Sequence, residues 1–415
     1  MAKLLIIADD FTGALDSGVQ FSAKGASTIV VTNPDYDFKS VDKSVEVLVF
    51  VAETRHMNPD DAYKTVYRTV QKALESGISN IYKKTDSALR GNVASELTAV
   101  MDAAKIKSIP FLPAFPKLNR TTIDGIHYIE GVPVAESVFG KDPFDPIKYS
   151  AISDIFAEQT DIPVIIHRQN EKTMISDPGI QVFDAQTDAD LEKIGRELGL
   201  SQLQFSGGCA GFAPVLADIL ELDGHIPEIP KLDETLFVCC GSLNPVTIAQ
   251  VDEAKLQGFP HFSLGISQKL DSNWADSEDG KNTVQKWISQ ANEKKSFILD
   301  VNNPDGYDDI DVYAKDHHLS QDELRIRISG NFASLMKRVL DEGLQATFLC
   351  TGGDTLLAFM QTVGVSELVP ICEMEVGIVL TEFEYTEKKY HIITKSGGFG
   401  EKDLFVKLSQ KLKKI

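Results

Sequence analysis

Asp9 and Asp10 stand side by side after the apolar run Leu4-Leu5-Ile6-Ile7-Ala8. Arg55 follows a second such run, Val45 to Val51, and Lys84, Asp86 and Arg90 follow a third, Asn80 to Lys83. Arg120 lies beyond a fourth, Ile109 to Leu112. Carboxylates alone would point to a metal, and basic groups alone to an anion. The mixture suits a small polar acid whose carboxylate meets Arg or Lys and whose hydroxyls meet Asp. The competing reading is ordinary surface ion pairing on loops. Four successive apolar runs that all end in such groups favour a ligand site, because open α/β sheets bind ligands at the carboxyl ends of their strands.

Later in the chain the chemistry changes. Gly241-Ser242-Leu243-Asn244-Pro245, Thr351-Gly352-Gly353-Asp354-Thr355 and Lys395-Ser396-Gly397-Gly398-Phe399-Gly400 each follow an apolar run. Glycine lets a backbone approach a phosphate, free amides at a helix start bind it, and Lys395 offers a cation. Neither GxxxxGK[ST] nor GxGxxG occurs, so a P-loop and a standard dinucleotide site are both unsupported. Ser206-Gly207-Gly208-Cys209-Ala210-Gly211 reads as a small-residue turn before a helix, serving either an anion or close packing.

The elements that must position these groups alternate. Apolar strand runs separated by helical patterns predict two α/β domains with mainly parallel sheets. Thr12 is expected to cap the first helix, with Gly25 near its end. Pro59 opens a helix to about Glu75, and Val93, Leu97, Val100 and Met101 share the inner face of the next. Between residues 141 and 204, Asp-Pro pairs (Asp142-Pro143, Asp145-Pro146, Asp177-Pro178) punctuate short strands at Val164–Ile166 and Gln181–Asp184. The proline-marked segment His225 to Pro230 sets the domain limits at 1–228 and 229–415. The sequence shows no internal repeat.

Composition narrows the partners. The 415 residues carry 41 basic and 61 acidic side chains, a net charge of −20. That surface disfavours nucleic acid and anionic membranes. No apolar run approaches the ~18 residues of a membrane span. Five cysteines in apolar or loop-edge settings read as reduced thiols of a cytoplasmic protein. The histidines show no zinc spacing, and no GxSxG elbow occurs.

Six segments, in order, resemble the four-carbon acid sugar kinases, also called threonate/erythronate kinases. They are IADDFTGALDSGVQ (7–20), KKTDSALRGNVASEL (83–97), PAFPKLNRTTIDGIHYIEGVPVAES (113–137), GSLNPVTIAQ (241–250), TGGDTLLA (351–358) and TKSGGFG (394–400). Ala88, Leu118-Asn119 and the segment 374–378 depart from the usual pattern.

The resemblance implies transfer of the ATP γ-phosphoryl to the terminal hydroxyl of a sugar acid, with Mg²⁺ on the phosphates. It implies an acid-binding first domain, a nucleotide-binding second domain and an active site in the cleft between them. It places the acid on Asp9, Arg55 and Lys84-Thr85-Asp86-Ser87, which the strand-end reading extends to Arg90 and Arg120. It places the nucleotide on Ser242, Thr351-Gly352-Gly353-Asp354 and Gly398, beside Lys395 and Gly397. Asp9, Asp10 or Asp16 would orient or deprotonate the hydroxyl. As Asp9 and Asp10 are adjacent on a strand, they are expected to point to opposite sides and do different jobs. Two rival readings are a sugar-acid sensor without catalysis and an NAD-dependent oxidoreductase.

Overall fold

The computed structural model describes residues 2–141, 146–169, 171, 173–222, 224–302 and 307–414. Asp142-Pro143 and Asp145 lie outside them. Two compact units result, Met1–Pro227 and Glu228–Ile415.

In unit 1 the elements run β1 (Leu4–Ala8), α1 (Phe11–Ser22), β2 (Thr28–Val31), β3 (Val47–Val51), α2 (Pro59–Glu75), β4 (Asn80–Lys84), α3 (Val93–Ala104) and β5 (Ser108–Leu112). They continue through β6 (Arg120–Ile123), β7 (Ile126–Ile129), β8 (Val132–Pro133), α4 (Ile152–Ala157), β9 (Val164–His167), β10 (Gly179–Phe183), α5 (Asp188–Leu203), β11 (Phe205–Gly208) and α6 (Ala213–Ile219). The main sheet has the order β2-β3-β1-β4-β11-β5-β10-β9, with every pairing parallel. All five residues of β1 and of β3 are buried, as a sheet covered by helices on both faces requires. β6, β7 and β8 form a separate antiparallel sheet.

Two expectations for unit 1 need correction. The cap of α1 is Asp10 rather than Thr12: Gly13 N donates to Asp10 Oδ1 at 3.0 Å, and the Thr12 hydroxyl donates to Asp10 Oδ2 at 2.7 Å. The carboxylate can accept both bonds at once, so the helix starts earlier than the hydroxyl suggested. Ser206 to Gly208 is no turn but part of β11, between β4 and β5. A Cβ at Gly207 would meet Leu97 and the Lys83 carbonyl, and one at Gly208 would meet the Leu112 carbonyl. The glycines there serve close packing inside a strand.

Unit 2 runs β12 (Leu236–Cys240), α7 (Pro245–Leu256), β13 (His261–Ser263), α8 (Ile266–Leu270), α9 (Glu278–Lys294), β14 (Ser296–Asp300), α10 (Tyr307–Asp316) and α11 (Gln321–Asp341). After these come β15 (Thr347–Thr351), α12 (Gly353–Val363), β16 (Glu367–Glu375), β17 (Ile378–Tyr385), β18 (Lys388–Lys395) and α13 (Leu404–Leu412). Its strands lie in the order β13-β14-β12-β15-β18-β17-β16, parallel up to β18 and antiparallel beyond. Pro245 occupies the first turn of α7, where its missing N–H costs nothing. Among the described residues no helix is long and apolar enough to cross a membrane.

Candidate active site

Each sheet has one point where successive strands depart in opposite directions, and there a crevice opens at the carboxyl ends. In unit 1 it lies between β1 and β4, so Asp9 and Asp10 face Lys84, Thr85, Asp86 and Ser87. The groups at this crevice form one ionic net. Arg55 donates from Nε to Asp9 Oδ2 at 2.8 Å and from Nη1 to Asp10 Oδ2 at 2.9 Å. Its Nη2 lies 2.7 Å from Asp9 Oδ2, 2.8 Å from Asp10 Oδ1 and 3.6 Å from Asp86 Oδ1. The two aspartates therefore do not diverge. Both lie beyond the end of β1, where strand alternation no longer holds, and they grip one guanidinium.

Asp86 is also held bidentately by Arg90, at 2.9 Å from Nε and 3.1 Å from Nη2. Arg120, the first residue of β6, hydrogen-bonds the Ser87 hydroxyl, and it and Arg90 stack over Phe139 at 5.3 and 5.0 Å. Asp16, on α1, is felt electrostatically at Arg120 and Cys209.

Charge follows this geometry. Burial would raise the Asp10 carboxyl, but Arg55, Lys84 and the Thr12 hydroxyl hold it below its ordinary pKa. Burial likewise opposes ionisation of Asp86, and Arg90 and Arg55 override it, holding that group well below the carboxylate range. Arg55 is pushed up, because Asp10, Asp9 and Asp86 outweigh its burial. The crevice keeps a few polar groups in reserve. Lys84, itself buried, donates to the Thr85 carbonyl at 2.7 Å, one bond for an ammonium with three donors. Asp9 Oδ1 and Thr85 Oγ1 are buried and, among the described residues, have no hydrogen-bond partner.

Sequence reasoning missed the supports of this net. Lys83 is fully buried, pairs with Glu96 at 3.1 Å, and donates to the carbonyls of Ile7 at 3.1 Å and Lys84 at 2.7 Å. It thus ties β1 to β4 across the crevice. Burial raises the Glu96 carboxyl against the pull of Lys83. His127 Nε2 lies 2.9 Å from the Ser87 carbonyl, and burial lowers its pKa to about 4. The neutral ring therefore donates from Nε2 and accepts from Thr122 at Nδ1, 3.2 Å away. A Cβ at Gly13 would collide with Asp10 Oδ1 and lie 2.7 Å from Lys84 Nζ, so a side chain there would push both groups from their places. Gly13, Lys83, Glu96 and His127 all stand inside the conspicuous motifs; only contacts distant in sequence reveal what they do.

In unit 2 the corresponding crevice lies between β12 and β15. Gly241 N donates to the Thr351 carbonyl at 3.0 Å, joining the two loops. Gly352, at φ +97°, turns the chain into α12, whose first residues are Gly353 and Asp354. Asp354 is half exposed and pairs with Arg325 at 2.9 Å. Ser242 Oγ accepts from Asn244 N at 3.2 Å, and Asn244 caps α7 through Val246 N. Gly397 passes so close to Ser242 and Asn244 that a Cβ would collide with the Ser242 hydroxyl; at Gly398 it would only touch Asn244.

Lys395 lies buried beneath this turn. It donates to Thr247 Oγ1 at 2.9 Å and to the carbonyls of Ser396 and Gly397 at 3.1 Å each. Burial brings its pKa down to about 7. Gln250, unremarked in the sequence, straps the carbonyls of Phe399, Gly400 and Glu401 at 2.9–3.0 Å. A desolvated ammonium beneath backbone amides and close-packed glycines is chemistry suited to phosphate.

The fold and these two sites define a two-domain α/β protein with an ionic net at the strand ends of one half and glycine-bearing turns over a buried lysine in the other. The model of a sugar-binding N-terminal domain matches residues 4–216, and that of a nucleotide-binding C-terminal domain matches residues 237–405. The chain belongs to the four-carbon acid sugar kinase family and is a phosphotransferase.

A D-threonate kinase of Salmonella typhimurium is 28% identical over 96% of this chain and 95% of that protein. A D-erythronate kinase of Heliobacterium modesticaldum is 25% identical over 97% and 95%. The crystal structure of Haemophilus influenzae protein HI1011 shares the fold, with a TM-score of 0.71 at 20% identity over 98% of this chain and 99% of that one.

Proposed function

We propose that this protein is an ATP-dependent kinase of a four-carbon sugar acid of the threonate or erythronate type, phosphorylating its terminal hydroxyl. The observation that carries this reading is the pair of unsatisfied buried oxygens, Asp9 Oδ1 and Thr85 Oγ1, beside an ammonium with donors to spare. A hydroxylated acid supplies what all three lack. Lys84 takes its carboxylate, and Asp9 and Thr85 take its hydroxyls. The Arg55 fork is already filled by carboxylates, so its part in acid binding is to hold Asp9 and Asp10 in place.

Of the three candidate bases, Asp10 has both oxygens committed to Arg55, Thr12 and Gly13. The charge of Asp16, on α1, is felt at Arg120 and Cys209, whereas Asp9 at the end of β1 keeps Oδ1 buried and without a hydrogen bond among the described residues. Asp9 therefore accepts the proton of the terminal hydroxyl as its oxygen attacks the γ-phosphorus and ADP leaves. Arg90, Asp86, Arg120 and Ser87 close the acid pocket around Phe139.

ATP is assigned to unit 2, with its phosphates on the amides of Ser242, Gly352, Gly353, Gly397 and Gly398, and with Lys395, whose three donors hold Thr247 and the carbonyls of Ser396 and Gly397, lending its charge from beneath. Among the described residues no group of three His, Cys, Asp or Glu could hold a metal. Mg²⁺ in kinase sites arrives on the phosphates and needs one or two protein carboxylates, and Asp354 in the Thr351–Asp354 turn offers one. Bound there, Mg²⁺ would neutralise phosphate charge. A cytoplasmic setting belongs to the same proposal, supported by five cysteines that are all free thiols.

The test is a panel of four-carbon acids with ATP, read by ADP release. D-threonate or D-erythronate should release ADP in step with a new phosphomonoester. Binding of an acid with no ADP release would favour the sensor reading, and reduction of NAD in place of ADP release would favour the oxidoreductase.

A further inference from the structure

A second polar cluster in unit 2 stands one strand away from the Ser242 loop. Asp300 ends β14 and is in register with Cys240, which ends β12. Its Oδ1 accepts from Asn302 N at 2.8 Å. Its Oδ2 is approached by His261 Nε2 at 3.4 Å, a nitrogen shared with Ser263 Oγ at 3.5 Å, and the Cys240 thiol also bonds the carboxylate. Leu264 N holds the Asp300 carbonyl at 2.8 Å, which brings α8 over this end of the sheet. Asn331 of α11 fastens α8 by donating to the Lys269 carbonyl at 2.8 Å.

Lys269 is the anomaly in this cluster. The residue is 2% exposed, yet among the described residues its ammonium makes no hydrogen bond. The charge it feels is that of Asp300, which lies beyond ion-pair distance. A lysine packed into the fold whose ammonium tip still reaches solvent, and a carboxylate whose charge it feels without an ion pair, suit a group that both donates and accepts. A phosphate would satisfy the lysine and be repelled by the aspartate. A vicinal diol satisfies both, since one hydroxyl donates to the carboxylate and an oxygen accepts from the ammonium. The location agrees. In nucleotide-binding α/β sheets a carboxylate takes the ribose hydroxyls beside the first strand and its phosphate-binding turn. β14 pairs directly with β12, the first strand of unit 2.

We propose that Asp300 and Lys269 form the ribose subsite of the nucleotide site, with Asp300 Oδ2 accepting from one ribose hydroxyl and Lys269 donating to a ribose oxygen. The proposal rests on the nucleotide reading of unit 2 and gives it a direction, phosphates toward β15 and β18 and sugar toward β14.

The experiment is calorimetric titration of the full chain with ATP, 2′-deoxy-ATP and 3′-deoxy-ATP. At least one deoxy analogue should bind roughly 10-fold more weakly than ATP, the value of a hydrogen bond to a charged group. Asp300→Asn and Lys269→Met should each narrow that difference to within about twofold. Lys269→Arg, which keeps the donor, should preserve most of it and serves if the methionine variant does not fold. Equal affinity of the wild-type protein for all three nucleotides would overturn the subsite and leave the nucleotide reading standing. Full discrimination retained by a folded Asp300→Asn protein would do the same. No binding of any of the three would overturn both.

Discussion

The two halves of this chain begin with the same strand order and fill it with opposite chemistry. Unit 1 runs β2-β3-β1-β4 and unit 2 runs β13-β14-β12-β15, so in each the first strand lies between the third and the fourth. The crevice beside the first strand carries the candidate site both times. In unit 1 it is an ionic net of the side chains of Asp9, Asp10, Asp86, Arg55 and Arg90, where we propose that the acid binds. In unit 2 it is backbone, turned by Gly352 and packed at Gly397, with Lys395 as the buried cation. The fold determines where a ligand site forms, and the residues at the strand ends determine what it binds.

That contrast predicts opposite sensitivities. The largest effect should come from Arg55→Met. It leaves three buried carboxylates without their shared cation, and removing one partner of a buried pair costs about 3–5 kcal/mol. Thermal unfolding should move down sharply in unit 1, and turnover should be lost. An unchanged melting profile would show that the net does not hold unit 1 together.

Asp9→Asn should lose about 10²-fold or more in turnover with little change in stability. A folded Asp9→Asn protein with full activity would remove Asp9 as the base.

The third effect is a proton. Lys395 has its pKa lowered to about 7 by burial, and phosphate charge should raise it again. ATP binding at pH 8 should therefore take up as much as about one proton, and at pH 6 close to none. Calorimetry in two buffers of different ionisation enthalpy measures this directly. The same shift has a sign for stability. Between about pH 7 and the ordinary lysine value the unfolded chain binds more protons, so this group's contribution to stability rises with pH through that window.

Gln250→Ala should have the smallest effect. It frees three loop carbonyls that water can partly satisfy, at a cost of roughly 1–2 kcal/mol, and should weaken ATP while leaving the acid untouched.

Much of this comparison could be read in the sequence, for physical reasons. Leu4–Ala8 must be a covered strand because it is apolar throughout, and the groups after it must then lie at a strand end. The six motif segments were equally visible, and with them the division into acid and nucleotide halves. The parts that stayed hidden depend on partners far apart in the chain. Serine and glycine at 206–208 read as a turn because nothing local shows that Leu97 and Leu112 leave no room for a side chain. Lys83 and Glu96 read as ordinary charged residues until the fold buries them together beside Asp9. The shared strand order of the two units left no trace as a sequence repeat, since it lies in connectivity rather than in residue types. Strand alternation predicts separate roles for Asp9 and Asp10, but β1 ends at Ala8, and beyond it both carboxylates turn to the same guanidinium.

The central claim is the division of labour between the two units. Its most direct test is a crossed titration of Lys84→Met and Gly352→Val with the acid and with ATP, each ligand measured alone. Lys84→Met should lose about 10-fold or more in affinity for D-threonate or D-erythronate and keep ATP within about twofold. Gly352→Val, forced away from φ +97°, should lose ATP and keep the acid. Loss of ATP in a folded Lys84→Met protein, or loss of the acid in a folded Gly352→Val protein, would contradict the account.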